Sequence, residues 1–442
     1  MSGESQNASR QGRIFFAASF YFLFICVFVS LLFPEFNPDL FWHLAAARKA
    51  DQLGRLLLSW ETFSFTKPGT FWINYEWLFE WIVWKLHQWG DFRALVLARA
   101  GLVTLTVVAA DQYVARRLDL TAVTVKNLAA RLSSIVMIYA FLATRATMQP
   151  ELFTLLFLVV FFGLRDRLID ILAGIGNREA GSGFFQRLPP PASRFPIFIA
   201  AYAALLALWA NIHGGFVLAL GILGLQLIGS AISMANAWFG WRVDRELTQE
   251  QYQRRRSHER LRLWALAALG MIGLAATLIN PYGIEVYKVI IKHLRDAPFI
   301  SNVIMEWQPT RFDQAGTWRY WGVFFFAISV LITSWIVTRK FDFEGTFVVL
   351  AFGLFAQKHI RNIALFGLVS MPVLWQAVLP LVESWRWPGF SRAGWPRRVF
   401  WQSAALALMA LGVAGSGYFL AKQGCTAGRN LARYRGLPRA YL

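Results

Sequence analysis

The chain has 442 residues, of which 57% are hydrophobic and 16% aromatic, while only 16% are charged. A soluble domain has about 45–50% apolar and about 25% charged residues, so this balance excludes a soluble enzyme, and the abundance of aromatic and branched residues excludes intrinsic disorder. The remaining charge is basic, 44 Lys and Arg against 25 Asp and Glu, and it lies mostly between apolar runs, which points to lipid phosphate as its counter-charge and to no nucleic-acid partner.

Residues 14–33 carry no charge and match the length a helix needs to cross a bilayer. The run is longer than a signal h-region and lacks a small-x-small cleavage site, so it reads as a retained first span, with Arg10 and Arg13 holding the N-terminus in the cytoplasm. Cys26 lies inside this run and Cys425 near the far end, a separation that matches no disulfide framework or metal site. Further apolar runs follow at 94–114, 128–144, 149–164, 195–212, 215–236, 263–280, 319–337, 345–357, 363–382 and 400–421. The expected fold class is all-α, a polytopic helical integral membrane protein of about eleven spans.

Alternating spans place Arg116 and Arg117, Arg165 and Arg167, Arg254 to Arg256, Arg339 and Lys340, and Arg397 and Arg398 at cytoplasmic ends, as the positive-inside rule requires. A membrane domain then covers 1–421, followed by a basic tail, 422–442, which lies outside if the span count is odd and inside if it is even. The outer segments 35–92 and 281–318 mix Trp with carboxylates and cations. The cytoplasmic segments 165–195 and 237–262 hold the Pro189-Pro190-Pro191 linker and an Arg-rich hairpin. Chemistry is therefore expected on the outer side.

The first outer segment opens with Asn37-Pro38-Asp39-Leu40-Phe41-Trp42-His43. Pro38 starts a helical pattern that puts Asp39 in the first turn and His43 one turn later, either as a carboxylate and imidazole facing one substrate or with Asp39 simply capping the helix. Glu76 follows before a Trp77, Trp81, Trp84 face; it either caps that helix or points into a cavity beside Asp39, and the Trp face reads as an interfacial helix. Arg145 and Glu151 flank the turn at Met148-Gln149-Pro150, and His213 precedes two glycines in another short turn. Ionisable groups at such membrane edges are functional suspects, although Arg145 and Glu151 also suit each other as an ion pair and His213 suits a structural role. Residues 284–294 read as an amphipathic helix with Lys288, Lys292 and His293 on its polar side, followed by Glu306 and Trp307, an aromatic ring that a sugar could stack upon. Lys358, His359 and Arg361 crowd a turn between two apolar runs, where cations either grip a phosphate or snorkel to headgroups.

Several segments together, PDLFWHLA (38–45), FSFTKPG, NYEWLFE (74–80), QPELF (149–153), WANIHGGF (209–216), INPYG (279–283), EWQ (306–308) and KHIRNIALF (358–366), resemble the GT-C superfamily of polytopic glycosyltransferases, in particular its bacterial mannosyltransferase- and arabinosyltransferase-related branches. The resemblance spans most of the chain. It implies a bacterial inner-membrane enzyme that uses a polyprenyl-phosphate-linked sugar, with an acidic residue of the first outer loop acting as base or supporting a divalent metal. Asp39 takes that place, but Asn37 and Phe41 stand where a second carboxylate would complete a DxD pair, so no metal ligand set is assigned. The reading that follows makes Asp39 the general base, has His43 and Glu76 position it or the acceptor, and has Lys358, His359 and Arg361 hold the donor phosphate. Arg145, Glu151, His213, Glu306 and Trp307 are the further cavity residues. Sugar transfer to an acceptor on the outer face, with inversion, is the leading expectation. A flippase for a lipid-linked saccharide and a non-catalytic assembly factor on the same scaffold are the alternatives, although no internal repeat or pair of broken helices marks a transporter.

Overall fold

A computed structural model describes residues 2–33, 37–172, 195–238, 249–312, 317–338 and 341–384. It is all-helical: α1 (Ser2–Ser30), α2 (Pro38–Gln52), α3 (Trp77–Arg117), α4 (Val125–Leu142), α5 (Glu151–Leu172), α6 (Phe195–Ile212), α7 (Phe216–Trp238), α8 (Gln249–Thr277), α9 (Glu285–Val303), α10 (Trp318–Thr338), α11 (Phe343–Lys358) and α12 (Ile363–Ser384). Among the described residues the nearest approach to a sheet is one antiparallel bridge, Trp60 to Phe71.

Seven helical stretches are long and apolar enough to cross a membrane: Trp77–Arg117, Lys126–Arg145, Phe195–Ile212, Phe216–Ala235, Glu259–Thr277, Tyr320–Thr338 and Ile360–Leu381. This is fewer than the eleven expected. Helices α1, α5 and α11 coincide with three further runs but fall short of that standard: the apolar part of α1 is Ile14–Ser30, α5 carries Glu151, Arg165, Asp166 and Arg167, and α11 has 16 residues. The run at 400–421, the tail 422–442, the triple proline and Arg339, Lys340, Arg397 and Arg398 lie outside the described residues.

The outward surface is that of a bilayer protein. Tyr21 and Phe22 on α1 are 70% and 61% exposed, and Trp264 and Met271 on α8 are 70% and 69% exposed, an apolar exterior that water does not tolerate over such an area. The interior is dominated by one aromatic-rich core in which Trp209, Tyr202, Phe161, Phe216 and Phe366 are fully buried, with two small clusters around Leu120 and Leu58 beside it. Between helices in lipid, close packing replaces water exclusion as the driving force, and small residues permit it. Gly367 accordingly lies where a Cβ would overlap the Phe141 ring, joining α12 to α4.

Helix α3 breaks at Gly90 and Asp91, where Asp91 takes a left-handed φ of 54°. The break divides the Trp-rich first part of α3 from its apolar second part, close to residue 92 where the first polar segment was expected to end. Segment 281–318 holds a longer helix than the spacing suggests, since α9 runs from Glu285 to Val303 with Pro298 inside it. Helices α5 and α8 likewise extend into segments 165–195 and 237–262, the first because Arg165 and Asp166 are tied to neighbouring helices.

Candidate functional site

The N-terminus of α2 shows which residue caps and which is left for other work. Asn37, rather than Asp39, is the cap: its side chain accepts the Asp39 N–H at 2.9 Å and Pro38 occupies the first helical position. The Asp39 carboxylate is therefore spared. It is exposed, and its Oδ2 accepts from Gln149 Nε2 at 3.0 Å, which joins α2 to the turn before α5. One turn along, His43 is buried against Phe79 and Trp42.

Glu76 precedes α3 but makes no capping bond. Its carboxylate faces inward, with Oε2 4.0 Å from His43 Nε2 and Oε1 3.8 Å from His213 Nε2. Burial pushes its pKa up to about 7; the positive side of His43 and Arg361 works against the rise, and the carboxylates of Glu80 and Asp39 work with it. Glu76 is thus half-ionised near neutrality.

His213 follows α6, and its ring is fixed by a local network. Trp209 Nε1 donates to Thr154 Oγ1 at 2.8 Å, the Thr154 hydroxyl lies 2.7 Å from His213 Nδ1, and the Gly215 N–H donates to the same nitrogen at 3.1 Å. Because Nδ1 receives donors, the proton of the neutral ring sits on Nε2, facing Glu76. Burial holds His213 down at about 4, so between that value and about 7 both facing groups are neutral, and their contact is polar rather than ionic. Gly215 is required here, since a Cβ would come within 2.8 Å of His213 Nδ1.

A second network lies beside the first. Arg145, in the 3-10 turn that ends α4, donates to Glu151 Oε2 at 2.6 Å and Gln149 Oε1 at 3.0 Å and also pairs with Glu306. Arg361 reaches the same two acids, at 3.3 Å from Glu151 and 3.2 Å from Glu306, with its guanidinium 4.9 Å over the Trp307 ring. Backbone bonds hold these two turns together: Ile360 N–H donates to Gln308 O at 3.0 Å, and Thr310 N–H to Gln357 O at 2.9 Å. His359 Nδ1 donates to Trp307 O at 2.6 Å. Residues from EWQ and KHIRN, about fifty positions apart in sequence, so form one wall.

Arg361 and Arg145 are not bare cations, because two carboxylates already neutralise them. Lys358 stands apart at the exposed end of α11, and no described carboxylate is paired with it. On the Trp face, Trp77 donates to Asn211 at 3.0 Å and Trp84 to Asp51 at 3.1 Å, fastening the first part of α3 to α6 and α2. Lys288 on α9 is engaged at the surface by Glu285 at 2.6 Å, one helical turn away.

Asp39, His43, Glu76, Arg145, Glu151, His213, Glu306, Trp307, His359 and Arg361 thus meet at one end of the bundle, linked through shared partners. Spacing alone did not single out Glu80, Asn74, Thr154 or Gln149. Glu80 is buried, its Oε2 accepts from Asn74 at 2.7 Å, and its Oε1 lies 3.6 Å from His43 Nδ1. The usable signal was the four-residue interval from Glu76 to Glu80, which puts two carboxylates on one helix face. Among the described residues no three His, Cys, Asp or Glu side chains converge as a metal would need, so no step is derived through a metal.

The opposite end of the bundle carries its own polar layer. Asp166 accepts from Tyr113 and from Arg117 at 2.9 Å each, Arg165 reaches Gln226 at 3.2 Å, and Arg262 grips Glu344 with two bonds of 2.7 and 2.6 Å. All of these except Asp166 line a cavity of about 270 Å³. The basic residues Arg117 and Arg165 therefore hold helices together as well as marking span ends. Compared with known proteins, the chain matches no family model and no curated protein sequence.

Proposed function

We propose that the protein is an inner-membrane glycosyltransferase of GT-C type, with about eleven spans and a cytoplasmic N-terminus, that moves a sugar with inversion from a polyprenyl-phosphate donor to an acceptor on the outer face. The observation that carries this reading is the convergence of residues from distant segments, QPELF, WANIHGGF, EWQ and KHIRN, with Asp39 and Glu76 at one end of an apolar bundle. Transfer from a lipid phosphate needs a base for the acceptor hydroxyl and donors for the departing phosphate.

Asp39 suits the base, being exposed and steadied on one oxygen by Gln149. His43 and Glu76 lie behind it, where they set charge and position. Lys358, which no described carboxylate pairs, is the cation proposed for the phosphate, and Arg361, already aligned by Glu151, Glu306 and Trp307, adds a fixed guanidinium beside a ring that a sugar can stack upon. His359 contributes Nε2, since Nδ1 is taken by the Trp307 carbonyl.

The test is purified protein in lipid supplied with polyprenyl-phosphate sugars, compared with Asp39→Asn. Transfer by the wild type that falls about a hundredfold or more in the variant supports the assignment; undiminished transfer removes Asp39 from the chemistry. One observation favours the second reading, a carrier for lipid-linked saccharide: the polar cavity at the opposite end gives the bundle an ionisable layer on both sides. Sugar-lipid crossing reconstituted vesicles without any transfer would select it.

A further inference from the structure

Two buried polar atoms face each other without hydrogen bonds, His43 Nδ1 and Glu80 Oε1, at a separation of 3.6 Å. Both side chains are nearly inaccessible, at 2% and 3% exposure. Buried polar groups are normally satisfied, and such an unmade pair marks a place where a proton or a small movement is accommodated. The other nitrogen of the same ring, Nε2, points at Glu76, which in turn meets His213. Glu80, His43, Glu76 and His213 therefore form a single file, closed at one end by Thr154 and Trp209 and at the other by Asn74.

We infer that Glu80 is a positioning residue and a proton store for Glu76, connected to it through the His43 ring. In the resting arrangement the neutral ring carries its proton on Nδ1, toward the Glu80 carboxylate, and offers the Nε2 lone pair to protonated Glu76. Two protons hop, the ring stays neutral, and one unit of positive charge passes from Glu76 to Glu80: the Glu76 O–H bond breaks as Nε2–H forms, and Nδ1–H breaks as an O–H forms on Glu80 Oε1. Glu76 is left as carboxylate, His43 is neutral in its other tautomer, and Glu80 is a neutral acid. The return path is the reverse. Contacts of 3.6 and 4.0 Å must close by roughly half an ångström to one ångström for this, which a shift of α2 against α3 supplies.

The file is a store because it has no exit: Glu80 is buried and its other oxygen is occupied by Asn74. Besides its end member His213, the groups facing it are Asp39 from α2, Glu151 from α5, Arg145 at the end of α4 and Arg361 from the α11 to α12 turn. None of these is needed to carry the proton, but together they set which end of the file holds it. The device lets Glu76 stay neutral while an anion occupies the outer layer and become charged once the anion leaves, with no proton crossing the wall of the site.

The inference rests on the transferase reading only for its activity arm, so it is tested in two ways. In the first, the protein is labelled with ¹⁵N-histidine in lipid nanodiscs, and the His43 signal is identified by its loss in His43→Gln. The expected result is a Nδ1–H ring in the wild type and conversion to the Nε2–H form in Glu80→Gln, with Glu80→Asp retaining the wild-type tautomer. Identical His43 signals in wild type and Glu80→Gln overturn the inference whatever the protein's activity. In the second, Glu80→Gln lowers kcat about tenfold or more with KM within about twofold, and Glu80→Asp recovers most of the rate. A change in KM alone also overturns it. Absence of transfer by the wild type rejects the proposed function and leaves the spectroscopic arm to decide the store.

Discussion

Glu76 makes a stability prediction that holds whatever the protein's activity is. Its ordinary value near 4.5 is raised by burial to about 7 in the folded protein, so the folded state holds a proton that the unfolded chain would release. The stabilising contribution of that proton is fully present below about pH 4.5 and is lost as the pH rises through about 7. At about 1.4 kcal/mol per pH unit, the interval from 4.5 to about 7 corresponds to roughly 3 kcal/mol of ionisation penalty carried by the wild type in alkaline solution. Glutamine has nearly the same shape and cannot ionise. Glu76→Gln should therefore match the wild type within about 1 kcal/mol near pH 4.5 and exceed it by up to about 3 kcal/mol near pH 8.5. The assay is thermal unfolding of detergent-purified protein across that range, reading the difference between variant and wild type at each pH. A difference that does not grow with pH would refute the assignment of Glu76 as a carboxylate strained by burial. Conversion of His213 to its charged form is kept out of this window by its own depressed value near 4.

The remaining predictions concern packing and pairing. Glu151→Gln removes a buried acid that serves both Arg145 and Arg361, and it should cost about 3 kcal/mol in chemical unfolding, whereas Glu306→Gln, at a more accessible acid of the same network, should cost about 1 kcal/mol. Gly215→Ala drives a methyl group into Thr154 and His213 and should cost about 1–3 kcal/mol while displacing the imidazole, which ¹⁵N-histidine spectra would register as loss of the Nε2–H form.

How much of this was legible in sequence depended on whether a signal was local. The helical bundle follows from apolar runs, and ten of the eleven runs coincide with helices, because length and hydropathy act within one segment. The break at Gly90 and Asp91 falls just before the apolar run at 94–114 begins, so the boundary was legible although the break itself was not. The partners of Arg361 were not legible. Its lipid-phosphate reading came from the crowding of cations in one turn, but Glu151 lies 210 positions away and reaches it only after α5 and α12 have packed. Asp39 was ambiguous for a different reason: Asn37 and Asp39 are both good caps, and only backbone geometry decides between them. Glu80 was masked by its position inside an amphipathic Trp-rich helix, where a lone acid reads as part of the solvated face until His43 is found beside it.

On the proposed transferase reading, the placement of the acids gives a reason for two carboxylates where one base would serve. Arg145 and Arg361 are paired with Glu151 and Glu306, so the formal charges of this network cancel before Asp39, Glu76 and Glu80 are counted. An anionic donor of the proposed kind would not be drawn into this network by net charge and would be sensitive to any further carboxylate. One ionised acid about 4 Å from a phosphate charge opposes it by about 4 kcal/mol at an effective dielectric near 20. That is enough to decide occupancy. On that reading Glu76, buried and neutral below about 7, would sit beside a donor phosphate without this penalty, while exposed Asp39 would be the group free to take an acceptor proton. Burial and exposure, rather than residue type, divide the two tasks, and the division is written into the backbone: Asn37 takes the capping duty that would have engaged Asp39, and the absence of a capping bond at Glu76 leaves its carboxylate free to turn inward.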